Sequence, residues 1–213
     1  MHIPDGFLST PTWAGAAAVA TVAVGYAVRR TQQQLGERQV PSLGVLAAFI
    51  FAAQMVNFPV AAGTSGHLLG AVLAAILLGP WSAAIVMTTV LAVQCLFFQD
   101  GGITALGANV LNMAVIGVFA GYSVYCLLGA LFPGRKGRLA ATFVASWVSV
   151  MASALAAGLE LAFSGALPLH IVLPAMTYWH ALIGLGEGLI TTAVVAYATR
   201  IDLIPAPNCV EKA

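Results

Sequence analysis

Charge is what this sequence lacks. Eight Lys and Arg and seven Asp and Glu make only 7% of 213 residues, where an ordinary soluble domain carries about 25%. So few groups cannot supply a polar skin, and 61% hydrophobic residues with a mean hydropathy of +0.97 leave too much apolar surface to hide. A soluble globular enzyme is excluded, and so are disordered and fibrous chains. A nucleic-acid binder is excluded too, because bases and acids nearly balance and make no basic face. Cysteine is scarce: Cys95, Cys126 and Cys209 form no CxxC pair and are odd in number, which suggests neither a disulfide framework nor a thiolate metal site. Catalytic signatures are missing, with no HExxH, GxSxG, Walker loop or Rossmann fingerprint.

What is present is a series of apolar runs. At about 1.5 Å rise and about 20 residues per crossing, the length allows six or seven membrane helices and little else. Seven stretches stand out, at 12–28, 43–58, 67–79, 81–98, 109–132, 139–165 and 174–199. The expected class is therefore an all-α membrane protein of about seven transmembrane helices, multi-pass and in contact with lipid. It forms one integral membrane domain over 1–213: an outer N-terminal segment (1–11), a helical bundle (12–199) and a cytoplasmic tail (200–213). The third stretch is short and bounded by Gly63–Gly66 and Gly79-Pro80, which predicts a short or partly re-entrant helix. Irregular backbone at that depth must be covered by protein or line a polar cavity.

Basic residues set the orientation. With Met1 outside, Arg29, Arg30, Arg38, Arg135, Lys136, Arg138, Arg200 and Lys212 all fall on the cytoplasmic side, as the positive-inside rule requires. His2, His67, His170, Asp5 and Asp100 then lie outside, with His180 in the outer half of the last span. The start of the chain has no basic n-region and no small-residue cleavage site. Met1 is thus expected to be the mature N-terminus, kept because His2 is too bulky for the trimming aminopeptidase.

Four constellations could carry chemistry. The Met1 α-amine, the His2 main-chain nitrogen and His2 Nδ1 can close two fused chelate rings on one ion. That needs a metal able to displace an amide proton, which suits copper and nickel in planar nitrogen geometry; an incidental histidine is the bland alternative. The run from Asn57 to His67 ends in a histidine that opens an apolar helix, with Ser65 as its expected N-cap; the macrodipole would keep that histidine neutral. Its alternative is a capped turn with a hydrogen-bonded histidine. Phe97 to Gly102, with Gly107, Asn109 and Asn112 beyond, is a polar outer loop able to lid a cavity or to be a plain loop. His180, Gly184 and Glu187 share one face of the last span, and Glu160 lies near the outer end of the sixth. That last group reads as a proton relay, as ligands, or as a structural hydrogen-bond pair. Ser65 with His67 or His180 leaves an intramembrane hydrolase as a reading from another class. Small residues on the first span, among them Ala14, Gly15, Ala18 and Gly25, offer a close-approach surface for a partner helix.

These residues resemble a known family. Met1-His2-Ile3-Pro4-Asp5-Gly6-Phe7-Leu8, Gln54 to Pro59, Gly63 to Gly70, Phe98 to Asn109 and Ile183 to Glu187 are similar to the substrate-specific membrane subunit of nickel and cobalt energy-coupling-factor transporters, the NikM/CbiM family. The likeness covers essentially the whole chain, and the Ile3-Pro4-Asp5-Gly6 form is closer to nickel members. The resemblance implies seven helices with the N-terminal segment tucked into an outer pocket of a prokaryotic cell membrane. It implies a transport subunit without its own ATPase site, with nickel, or alternatively cobalt, as transported substrate. The implied metal ligands are Met1, His2 and His67 in a square-planar four-nitrogen site. Asp5, Asn57, Ser65, Asp100 and His180 are candidates for the surrounding shell, with Asp5 the first choice for countercharge and Asp100 the second. Implied partners are a transmembrane coupling subunit, two ATP-binding subunits and a small accessory membrane subunit. From model-peptide values, near 7.7–8.0 for the amine and 6.5 for histidine, binding is expected to strengthen from about pH 6 to 8.

Overall fold

The computed structural model describes residues 1–34, 36, 40–60 and 64–201. Its helical elements are α1 (Thr10–Gln34), α2 (Val40–Gln54), α3 (Ala71–Leu78), α4 (Pro80–Phe98), α5 (Leu106–Leu131), α6 (Arg135–Phe163) and α7 (Leu169–Arg200). Five of these, α1 and α4 to α7, are long and apolar enough to cross a membrane. The 15-residue α2 is shorter, and α3 has eight residues. The protein is a multi-pass membrane protein. Arg38, Gly63, Cys209, Lys212 and nearly all of the expected tail lie outside the described residues.

The short third helix was expected, but not its place. His67 does not open it, and Ser65 does not cap it: α3 begins at Ala71, after Gly70 at φ 78°. Instead, Phe58–Val60 (β1) and Thr64–Gly66 (β2) pair antiparallel, with Pro59 opposite Ser65. A small ribbon therefore sits inside a chain read as all-helical. At the other end of α3 a single residue, Gly79, turns the chain at φ 87° and ψ 159°, and Pro80 starts α4. Glycine tolerates that backbone, and proline at a first helical position forfeits an N–H that has no helical partner anyway. The two helices are thereby broken apart without a loop.

The core is built from small side chains and close approaches. Ala71, Ala74, Ala75, Ala83, Ala145, Ala154 and Ala157 are fully buried. A Cβ at Gly117 would meet Ser153 Oγ at 2.5 Å and Leu69 Cδ2 at 3.2 Å, so α5 lies tight against α6 and the segment before α3. Over Val110–Gly117, α5 winds as a π-helix, a form frequent at functional sites. Ser149 Oγ donates to Gly117 O at 2.6 Å across this contact. Cys95 is free, whereas Cys126 is disulfide-bonded, which the cysteine count did not suggest.

Chain direction sorts charge to one end. Ile3 lies against Asn109 near the start of α5. Arg29 and Arg30 near the end of α1, Arg135, Lys136 and Arg138 at the start of α6, and Arg200 at the end of α7 therefore collect at the opposite end.

Candidate metal centre

The N-terminus is inside the molecule. Met1, His2 and Ile3 are 1%, 3% and 0% exposed, an improbable place for a charged amine unless something is gained there. Three devices hold the segment. Ile3 N–H donates to Asn109 Oδ1 at 2.9 Å, while Asn109 Nδ2 donates back to Ile3 O at 3.1 Å. Gly102 N–H adds a bond to the same carbonyl at 2.9 Å. Asp5 accepts from Thr104 N–H at 2.8 Å, Thr104 Oγ1 at 2.5 Å and Ile103 N–H at 3.1 Å. These bonds hold the Asp5 carboxyl below its usual range, Thr104 contributing most. Asp5 is thus an anchor on the loop before α5.

The segment's nitrogens converge on one hydroxyl. Ser65 Oγ lies 3.2 Å from the Met1 amine, 3.3 Å from His2 N and 3.4 Å from His2 Nδ1. The amine also donates to Ser65 O. Opposite, His2 Nε2 faces Gln94 Oε1 at 3.2 Å, and His2 Nδ1 faces Asp100 Oδ1 at 3.2 Å. Asn57 Nδ2 orients that carboxylate through Oδ2 at 2.9 Å. A neutral imidazole has one N–H, so it cannot donate to both Gln94 and Asp100. With the proton on Nε2 toward Gln94, the Nδ1 lone pair faces the Asp100 carboxylate; with the proton on Nδ1 toward Asp100, the Gln94 amide must turn its Nε2 toward His2.

His67 is placed beside it. Its ring stacks on that of His2 with centroids 4.5 Å apart and planes 26° inclined. His67 Nδ1 donates to Leu68 O at 2.7 Å, which leaves Nε2 as the lone-pair nitrogen, buried and without a partner. His180 is fully buried with Nδ1 donating to Met176 O at 2.8 Å, and its Nε2 is left without a hydrogen-bond partner. Ser65 Oγ lies against nitrogens of Met1 and His2, and not against His67 or His180 as a hydrolytic serine would need. Glu160 is elsewhere, bonded by Asn112 Nδ2 at 2.6 Å.

Burial keeps these donors neutral. It pushes the Met1 amine down to about 4, against the opposing pull of Asp100. His2 falls to about 3 through burial and the amine's charge, with Gln94 opposing. His67 is also held well below its ordinary value, by burial first and then by the amine and His2. Burial, and not a helix macrodipole, does this for His67. The same burial pushes the Asp100 carboxyl up, opposed by the amine and Asn57.

Among the described residues no group of three His, Cys, Asp or Glu side chains could hold an ion. An ion held at this place would need donors beyond those side-chain types. Gln94 escaped the sequence reading, and Asn109 was named there only as part of a loop able to lid a cavity; the available signal for Gln94 was an uncharged polar group inside an apolar run.

A model of the family described as "Cobalt uptake substrate-specific transmembrane region" matches residues 2–203. The chain is 47% identical to a putative fused nickel transport protein NikMN of Archaeoglobus fulgidus, over 96% of this chain and 68% of that protein. It is 32% identical to the cobalt transport protein CbiM of Sorangium cellulosum, over 96% of this chain and 94% of that one. A crystal structure of a transition metal transporter superposes with a TM-score of 0.89 at 35% identity, covering all of this chain and 97% of the other.

Proposed function

The chain belongs to the cobalt-uptake substrate-specific transmembrane family, and on that premise we propose that it captures a divalent transition-metal ion, nickel in preference to cobalt, as the substrate-binding subunit of an ATP-driven importer. The carrying observation is the convergence of the Met1 amine, His2 N and His2 Nδ1 within 3.2–3.4 Å of one atom, Ser65 Oγ. Those are the three donors of a fused chelate. An ion bound there takes the place of the amide proton, while Ser65 Oγ moves aside or remains above the plane.

His67 Nε2 supplies the fourth corner. A metal–nitrogen distance of about 2 Å plus about 1 Å to the ring centre puts two imidazoles on adjacent corners about 4.2 Å apart. The His2 and His67 centroids are 4.5 Å apart. His2 Nε2–H on Gln94 then fixes the tautomer, as the outer nitrogen of a ligating histidine usually is fixed. The ion with one deprotonated amide leaves one net positive charge, and Asp100 is the countercharge, in direct contact with His2 where Asp5 is not.

Four nitrogen donors in a plane favour d8 nickel and disfavour zinc, which has no planar preference. The greater likeness to a fused nickel relative than to a cobalt relative points the same way. With no nucleotide motif in the sequence, energy must come from partners: a transmembrane coupling subunit, ATP-binding subunits and a small accessory membrane subunit. In this reading the chain crosses the membrane about seven times, with Met1 outside.

Titration calorimetry of the purified chain tests it. The protein beginning at Met1 should bind one nickel ion tightly. A single alanine inserted between Met1 and His2, any residues placed before Met1, or His2→Ala should abolish tight binding. Equal binding by an N-terminally extended protein contradicts the reading.

A further inference from the structure

Glu187 is 3% exposed in the middle of α7, and nothing in the proposed chelate uses it. Both of its oxygens are engaged as acceptors, the pattern of an ionised carboxylate. Oε2 accepts from Leu69 N–H at 2.9 Å and Oε1 from Gly70 N–H at 2.7 Å. The Leu69 N–H belongs to the same peptide group as Leu68 O, and Leu68 O accepts from His67 Nδ1–H at 2.7 Å. Carboxylate, peptide and imidazole therefore form one hydrogen-bonded chain. From α2, fully buried Gln54 donates through Nε2 to Leu69 O at 2.7 Å and grips the next peptide. Gly70 packs under Ile50, where a Cβ would meet Cγ1 at 3.0 Å. The segment carrying His67 is thus held from the preceding helix α2 and from α7, which is remote in sequence.

We propose that Glu187 is the positioning residue for His67, acting through the single peptide group between Leu68 and Leu69. The inference rests on the reading of His67 as the fourth nitrogen ligand. Ligating histidines commonly give their outer N–H directly to a carboxylate or a carbonyl, which fixes ring and tautomer and strengthens the ligand. Here the carboxylate acts one peptide removed. Its charge polarises the Leu68–Leu69 peptide, the carbonyl becomes a better acceptor, and the effect passes to His67 Nδ1–H. His67 Nε2 is left unprotonated, aimed and electron-rich.

The experiment is a double-mutant cycle on the full-length chain in detergent, read by nickel affinity and by the visible ligand-field band. Glu187→Gln keeps the side chain's size but turns an NH2 toward a main-chain N–H. It should weaken nickel binding about 10- to 100-fold and move the band toward that of His67→Ala. In the His67→Ala background the same change should add almost nothing. Equal losses in both backgrounds mean a merely structural role and overturn the inference; so does a Glu187→Gln protein with native affinity and band. If His67→Ala itself binds and absorbs like the native chain, the fault lies in the ligand reading, and the inference falls with it. Should Glu187→Gln fail to fold, histidine-nitrogen NMR of the native metal-free chain decides. It should find His67 protonated on Nδ1 with a slowly exchanging proton, and an Nε2–H tautomer overturns the proposal.

Discussion

At the residue scale the chemistry turns on three nitrogens that burial has stripped of protons. The free-group expectation was that binding strengthens from about pH 6 to 8 as the amine and imidazoles deprotonate. In the folded chain the amine titrates at about 4 and His2 at about 3. Between pH 6 and 8 those groups are already neutral, and only the His2 amide proton must leave. Nickel affinity should therefore rise about tenfold per pH unit over that range, one proton released per ion. It should fall more steeply below about pH 4. The sign for docking is the same. Below the free amine value of 8.0 and the free histidine value of 6.5, an undocked segment takes up protons that the docked one refuses. Docking thus weakens as pH falls from there toward the folded values. Calorimetry in buffers of different ionisation enthalpy counts the protons; a flat profile argues for carboxylate or carbonyl ligands. The sequence singled out Met1, His2 and His67 together only through the family resemblance; on spacing alone His2 reads equally as incidental and His67 as part of a capped turn.

At the element scale the site is a segment latched across the mouth of a bundle. Asn109 is the latch's buried member, bonding both polar groups of Ile3. Asn109→Ala leaves the Ile3 N–H buried without a partner, a cost of about 1–3 kcal/mol, so nickel affinity should drop about 10- to 100-fold while the bundle stays folded. Affinity measured beside thermal unfolding separates the two. The apolar runs predicted the long helices to within several residues, because length and hydropathy are properties of each run alone. The β1–β2 ribbon was not legible: three-residue strands have no periodicity to read, and Pro59 argues against one. The true start of α3 was hidden as well. It depends on Gly70 in a left-handed conformation and on Glu187, 117 residues further along. No local signal announces a partner so distant. Asp5 was placed in the right neighbourhood but with another task, since Thr104 claims it.

At the scale of the whole molecule, the histidines with Asp5 and Asp100 gather at one end and fixed cations at the other. That asymmetry predicts a membrane topology. In a cysteine-free background, a cysteine at Gly165 should react with an impermeant thiol reagent on intact cells, and one at Lys136 only after the membrane is opened. The reverse pattern contradicts the proposed orientation. Capture from outside, by donors the chain contributes from its first two residues, is the centre of the account, and X-ray absorption of the nickel-loaded chain tests it most directly. The account predicts four nitrogen neighbours in a plane, an edge shape typical of square-planar nickel, no water ligand and a diamagnetic, yellow to orange protein. Six-coordinate nickel with an oxygen-rich shell would contradict both the main-chain chelate and His67 as its fourth corner.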